Sequence, residues 1–297
     1  MESGELQADF LAPQHSRPMG RWRVGFFPLI LRKFQRPKME IMKENSGIEG
    51  EFDETGDVLV TGASRGIGLA IAQELAKAGH RLIIVARAKE DLDVALASLP
   101  VRNKAHSAIS ADLMSHEGRQ LLQSDADLEN ISAVVHNMGG SLGVTDFWAS
   151  NGDYKSVWDF NLGAAHELNR LIVPAMVSRG WGRIIFISTL AVRLSKGNPP
   201  YTIAKAGLES YIKLLARHLE GTGVVAAGVR PGAIRVSGRY LANLEESNPE
   251  EFQRWLDENN SGVQMGSPSE IASVVGFLCS RGSSYLSGSI IDADGGV

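Results

Sequence analysis

The chain has 297 residues, 43% hydrophobic and 22% charged, with a net charge of −4 and a pI near 6.0. That balance suits a globular protein with a full core, and without a basic face after residue 50 it argues against nucleic-acid binding. The single cysteine, Cys279, excludes an intrachain disulfide and a cysteine-cluster metal site; it fits a reducing compartment and predicts a cytoplasmic protein.

Residues 1–55 differ in kind from the rest. Arg21, Arg23, Arg32, Lys33, Arg36 and Lys38 flank a short apolar run at 24–31. That run is far below the roughly 20 residues needed to span a bilayer, and no small-residue cleavage site follows it. The segment reads as a disordered N-terminal extension, or as a start placed upstream of Met39 or Met42; contact with an anionic membrane surface is the alternative. No integral membrane segment is expected.

From residue 56 short β-branched runs alternate with amphipathic helical patterns. The predicted strands are 57–61, 81–86, 106–110, 133–137, 183–188, 223–229 and 289–291. Between them, Ile67, Ile71, Leu75 and Ala78 share one helix face, and Leu208, Tyr211, Ile212, Leu215 and Leu219 share another. This rhythm predicts an α/β fold, a doubly wound parallel sheet covered on both faces, as one domain over residues 56–297. Cys279 falls in a predicted buried helix and reads as an inert core thiol.

The first strand runs into Thr61-Gly-Ala-Ser-Arg-Gly-Ile-Gly68. Gly62, Gly66 and Gly68 permit a tight turn, with Ser64, Arg65 and Ile67 between them, and bring backbone N–H groups to a helix N-terminus where a pyrophosphate binds. The spacing is G-x-x-x-G-x-G, not the commoner G-x-G-x-x-G. The second strand ends in Ala86-Arg87, where a NAD-selective site would carry an acidic residue. Arg65 and Arg87 together suit the 2′-phosphate of NADP, so NADPH is favoured over NADH. Farther on, Tyr201 and Lys205 stand four apart on one helix face. An ammonium beside a phenol favours the phenolate, so a lowered phenol pKa and acid–base work on a carbonyl–alcohol pair are expected. The spacing alone is weak; its conjunction with the glycine turn is strong. His136, His166 and His218 have no metal-ligand spacing, and no metal is expected.

Together these residues resemble the short-chain dehydrogenase/reductase family, and the likeness extends from Asp57 to Gly296. The family's glycine motif matches Gly62, Gly66 and Gly68. Its adenine-contacting pair resembles Asp112-Leu113, and its Asn-x-Ala-Gly resembles Asn137-Met-Gly-Gly140, with Gly139 in place of alanine. Its helix asparagine resembles Asn161, its Pro-Gly motif Pro231-Gly232 with Ile234 beyond, and its ending Asp294-Gly-Gly296. The resemblance implies a Rossmann-type sheet in the order 3-2-1-4-5-6-7. It also implies a catalytic hydroxyl after the fifth strand. Counting thirteen residues back from Tyr201 selects Ser188, whereas aligning the strand itself selects Thr189; both stay candidates.

The resemblance further implies hydride transfer between NADP(H) and a small-molecule ketone or secondary alcohol. Tyr201 would be the acid/base, Lys205 its partner and a ribose ligand, and Asn161 would position a relay water. A homodimer or homotetramer through the Asn161 and Tyr201 helices is implied as well. The variable lid would span 233–266, where Arg235 and Arg239 offer charges for an anionic substrate group. For the substrate, a 3-oxoacyl-carrier-protein reductase and a surface-sugar reductase are the alternatives. A catalytically silent NADP(H) sensor is a further one. An extended-branch epimerase is disfavoured, because the chain lacks G-x-x-G-x-x-G and a longer substrate domain.

Overall fold

The computed structural model describes residues 56–101, 105–238, 240–260 and 262–297; the basic segment before residue 56 and Arg239 lie outside them. In chain order the elements are β1 (Asp57–Thr61), α1 (Gly66–Lys77), β2 (Leu82–Ala86), α2 (Lys89–Ala97), β3 (Ser107–Ser110), α3 (His116–Asp125), β4 (Ile131–His136) and α4 (Asn151–Trp158). They continue as a π-helical turn (Asp159–Gly163), α5 (Ala164–Arg179), β5 (Gly182–Ile187), α6 (Leu190–Leu194), α7 (Pro199–His218) and β6 (Val224–Pro231). The last are α8 (Tyr240–Ser247), α9 (Pro249–Asn259), α10 (Pro268–Cys279) and β7 (Ile290–Ala293).

All seven strands pair in parallel, in the order β3-β2-β1-β4-β5-β6-β7. A sheet buried on both faces needs apolar residues on both, and β1 supplies them: Val58, Leu59 and Val60 are all fully buried. Val58 and Val60 join the core beneath α1 and α10, and Leu59 joins the one beneath α5 and α7. Ile71 and Leu75 of α1 and Leu208 and Ile212 of α7 lie in these cores as the periodicity requires, but Ala78 is exposed as the C-cap of α1.

The strand boundaries shift by one or two residues from expectation. β6 runs on for two residues through Pro231 because β7 pairs alongside it as far as Pro231 and Ala293. Among the described residues, no helix is long and apolar enough to cross a membrane.

Arg183 of β5 has no exposed surface. Its Nε donates to the Ser280 carbonyl at 3.0 Å, its Nη2 donates to Ser284 Oγ at 2.8 Å, and its guanidinium lies 3.6 Å from the Trp181 ring centroid. A buried cation survives when its donors and its π partner are satisfied. Cys279 is buried on α10, and burial pushes its thiol up to about 12, so it stays protonated and unreactive at neutral pH.

His136 ends β4, buried beneath α5. Its ring stacks on Phe186 at 4.8 Å, and its Nε2 shares a 2.8 Å hydrogen bond with Asn169 Oδ1. Burial pushes its pKa down to about 4, against the smaller opposing pull of Asn169. The unfolded chain therefore binds more protons between pH 6.5 and 4, and stability falls on acidification through that window. The loss from this one group reaches up to about 3 kcal/mol. Urea unfolding at stepped pH is expected to show that slope, and His136→Gln, whatever its absolute stability, is expected to flatten it.

Candidate active site

The C-terminal ends of β1, β2, β4, β5 and β6 converge on a cavity of about 850 Å³. Crevices at the carboxyl ends of parallel strands are where open α/β sheets bind ligands. The glycine turn forms one wall. Gly62 and Gly66 have φ of +66° and +58°, a region that L side chains rarely adopt. A Cβ on Gly68 would lie 2.2 Å from the Gly62 carbonyl oxygen, so α1 starts this close to β1 only with glycine there. Asn137 braces the turn from β4, its Nδ2 donating to the carbonyls of Thr61 and Gly62 at 3.1 and 3.0 Å. The N–H groups of the first turn of α1 are left without helical partners beside this wall.

Ser64, Arg65 and Ile67 line the cavity with the glycines, and Arg87 lines it at the end of β2. Both arginines are exposed, and among the described residues neither has an acidic partner within ion-pair distance. The Arg87 guanidinium lies 6.0 Å from the Phe160 ring centroid. Leu113 is also in the wall, but Asp112 is not. The Asp112 carboxylate instead accepts the Met114 N–H at 3.0 Å, closing a turn on its own backbone, as short acidic side chains in loops commonly do.

At the other end of the cavity, Thr189, Tyr201 and Lys205 line one wall. Pro199 and Pro200 open α7, a position that tolerates their missing N–H groups, and Tyr201, next in the chain, shares a face with Lys205 one turn on. Lys205 is buried; its Nζ donates to the Ile187 carbonyl at 2.7 Å and lies 5.9 Å from the Tyr201 ring centroid. Burial pushes Lys205 down to about 8, against the opposing charge of Glu209. Burial pushes Tyr201 up to about 12, partly offset by its hydrogen bond with Thr189. The expected lowering of the phenol pKa is therefore reversed in this structure: the desolvation of the ring exceeds any help from the ammonium beyond it.

The two candidate hydroxyls separate cleanly. Ser188 borders the cavity, but its Oγ donates to Glu209 Oε1 at 2.6 Å. Thr189 accepts the Ala191 N–H at 3.3 Å, capping α6, and lines the cavity with Tyr201, whose phenol it pulls down against burial.

Asn161 sits in the wide π-helical turn, 2% exposed and behind the cavity wall. All of its bonds are internal. Its Oδ1 accepts the Gly140 N–H at 3.0 Å, and its Nδ2 donates to the carbonyls of Gly140 and Val157, each at 2.8 Å. A Cβ on Gly139 would come within 2.6 Å of Asn161 Oδ1 and 2.9 Å of Lys205 Nζ. Glycine at 139, in place of the expected alanine, is what lets these two side chains crowd the same loop.

Pro231, Gly232 and Ile234 complete the wall. Beyond them Ile234 pairs with Gly266, which closes the base of the 233–266 segment, and α8 and α9 pack Leu244, Phe252 and Leu256 into a small core of their own. Arg235 does not line the cavity; it is paired with Glu245 at 2.5 Å. Sequence reasoning missed Phe160, Met138, Asp91 and Val236, all in the wall. Phe160 stands beside Asn161 and carried a usable signal. Val236 carried none, because its place against Gly66 depends on how the loop after β6 folds back.

The family model described as enoyl-(acyl carrier protein) reductase matches residues 62–297. The 3-oxoacyl-[acyl-carrier-protein] reductase of Aquifex aeolicus is 31% identical over 244 residues, 80% of this chain and 96% of that protein. The gluconate 5-dehydrogenase of Gluconobacter oxydans is 28% identical over 80% of this chain and 93% of its own length. Among solved structures, the L-sorbose reductase of Gluconobacter frateurii, complexed with NADPH and L-sorbose, superposes with a TM-score of 0.71 at 28% identity. That match covers 82% of this chain and 96% of that one. The chain belongs to the short-chain dehydrogenase/reductase family of oxidoreductases.

Proposed function

We propose that this protein is an NADP(H)-dependent oxidoreductase that interconverts a ketone and a secondary alcohol. The observation that carries the reading is one cavity lined at one end by the glycine turn and at the other by Thr189, Tyr201 and Lys205. The residues present fit a dinucleotide. Left-handed glycines and the open N-terminus of α1 expose N–H groups to a pyrophosphate, Leu113 offers an apolar surface, and Arg65 and Arg87 offer cations at the rim. When bound, the dinucleotide supplies or accepts the hydride.

The chain's own residues do the rest. Thr189 and Tyr201 hold the substrate oxygen with two hydroxyl donors. In reduction Tyr201, neutral at physiological pH, gives its proton to that oxygen as negative charge develops. Lys205, with a pKa of about 8, supplies positive charge beside the phenol and exchanges protons near neutrality. Asn161 acts on the loop at Gly140, whose position it fixes with paired hydrogen bonds. A silent sensor has no use for a second hydroxyl in the wall beside the phenol or for a buried lysine on the same helix face.

The relatives act on 3-oxoacyl thioesters, a sugar acid and a ketose, so the informative panel is a short 3-oxoacyl thioester, L-sorbose, and gluconate run in the oxidative direction with NADP⁺. On the best substrate, Tyr201→Phe is expected to lose about 10²–10⁴-fold in kcat, the range for a removed general acid. Thr189→Ala is expected to lose far more than Ser188→Ala. Wild-type turnover in Tyr201→Phe removes the mechanism, and a larger loss in Ser188→Ala reverses the choice of hydroxyl. In fluorescence titrations, Arg65→Ala/Arg87→Ala is expected to cut the preference for NADPH over NADH by about tenfold or more, the scale of a lost charge-assisted hydrogen bond. An unchanged ratio rejects the NADP assignment.

A further inference from the structure

Glu209 lies one helical turn beyond Lys205 on α7 and is only 7% exposed. Its Oε1 accepts the Ser188 hydroxyl at 2.6 Å and Arg230 Nε at 2.9 Å, and its Oε2 accepts Arg230 Nη2 at 2.8 Å. Burial opposes its ionisation, yet the Arg230 and Ser188 hydrogen bonds hold its carboxyl below the usual range, so it is a fixed negative charge. Arg230 comes from β6 and also bonds Asp292 of β7. Asp292 in turn faces Arg193 of α6 at 3.7 Å, and Arg193 bonds Asp294 at 2.6 Å. A charged chain thus runs from Ser188 to the helix that follows Thr189.

Buried ion pairs are poor sources of net stability, since apolar replacements of like volume commonly serve as well. This one has a geometric consequence. Thr189 has extended backbone, with φ −159° and ψ 145°. In extended chain, consecutive side chains point to opposite sides. The backbone thus sets Thr189 on the side away from Ser188, and the bond to Glu209 fixes the Ser188 side chain on its own side. Ser188 nonetheless borders the same cavity, and its bond to Glu209 engages the hydroxyl that could otherwise turn to the substrate.

We propose that Glu209, clamped by Arg230, is a positioning residue for the reaction: it holds Ser188 away from the substrate so that Thr189 is presented, and it sets a fixed carboxylate behind Lys205. This rests on the reading that Thr189, Tyr201 and Lys205 carry the chemistry. With the carboxylate gone, Lys205 keeps its burial but loses the opposing charge, so its ammonium is lost at lower pH.

The test is the pH profile of kcat/KM for NADPH-dependent reduction of the best panel ketone. Glu209→Gln, which preserves shape and removes charge, is expected to shift the alkaline limb to lower pH by roughly one unit, with NADPH affinity within about twofold of wild type. Glu209→Asp is expected to bring the limb back toward its original place. A merely structural role would lower the rate without moving the limb, so an unmoved limb in a folded Glu209→Gln overturns the proposal whether or not kcat falls. Should Glu209→Gln not fold, Arg230→Lys, which keeps the cation but ends the two-pronged hold, carries the test. A fall in its kcat at unchanged NADPH affinity that a second change, Ser188→Ala, relieves supports the role; wild-type kcat, or a fall that Ser188→Ala leaves in place, defeats it. Tyr201→Phe run alongside separates the two claims. If it is inactive while the Glu209 variants behave as wild type, only the positioning role falls; if it is fully active, the reaction itself is misread.

Discussion

A single buried hydrogen bond organises the reactive end of this molecule: the Lys205 ammonium donating to the last carbonyl of β5, Ile187. It joins α7 to the tip of the central sheet at the point where the strand turns out into Ser188 and Thr189. Because the ammonium is almost wholly removed from water, it cannot wander. The helix face that carries it, Tyr201 included, is thereby registered against the strand end. Gly139 makes room for this approach, and Asn161 ties the adjoining loop in place from the other side.

Burial sets the electrostatics of the pair. Desolvation raises the phenol and lowers the ammonium, moving each toward its neutral form, to about 12 and about 8. The phenol therefore keeps its proton at neutral pH, and the amine titrates closer to neutrality than a free lysine. The carboxylate of Glu209 opposes the second shift, and Arg230 keeps that carboxylate ionised. Beyond Lys205 the charges alternate, Glu209–Arg230–Asp292, from α7 across β6 to the edge strand β7, so the buried Glu209 carboxylate has an opposite neighbour.

At the cofactor end backbone geometry does most of the construction. Gly62, Gly66 and Gly68 are there because of what they lack: two take left-handed conformations, and the third packs where any Cβ would strike a carbonyl. Polar side chains finish the wall by bracing backbone, as Asn137 does, or by standing at the rim, as Arg65 and Arg87 do.

Much of this was legible in the linear chain. Hydrophobic period and β-branched runs determined a parallel, doubly wound sheet, because a strand buried on both faces and a helix buried on one leave different repeats. Glycine spacing located the turn, because only that residue tolerates those torsions and that closeness. Tyr201 and Lys205 were visible because helical spacing is a local property. What the sequence left open were matters of direction and environment. It did not separate Ser188 from Thr189, because the bond that distinguishes them, Ser188 Oγ donating to Glu209, joins residues twenty-one apart in the chain. It misjudged the phenol, because desolvation depends on everything packed around a group. It left Arg235 between a substrate contact and a surface salt bridge, and the fold pairs it with Glu245; it put Asp112 beside Leu113 at the cofactor, and the fold brings that carboxylate onto the Met114 N–H of its own loop. Side-chain direction and burial are sums over neighbours distant in sequence, and only the tertiary structure decides them.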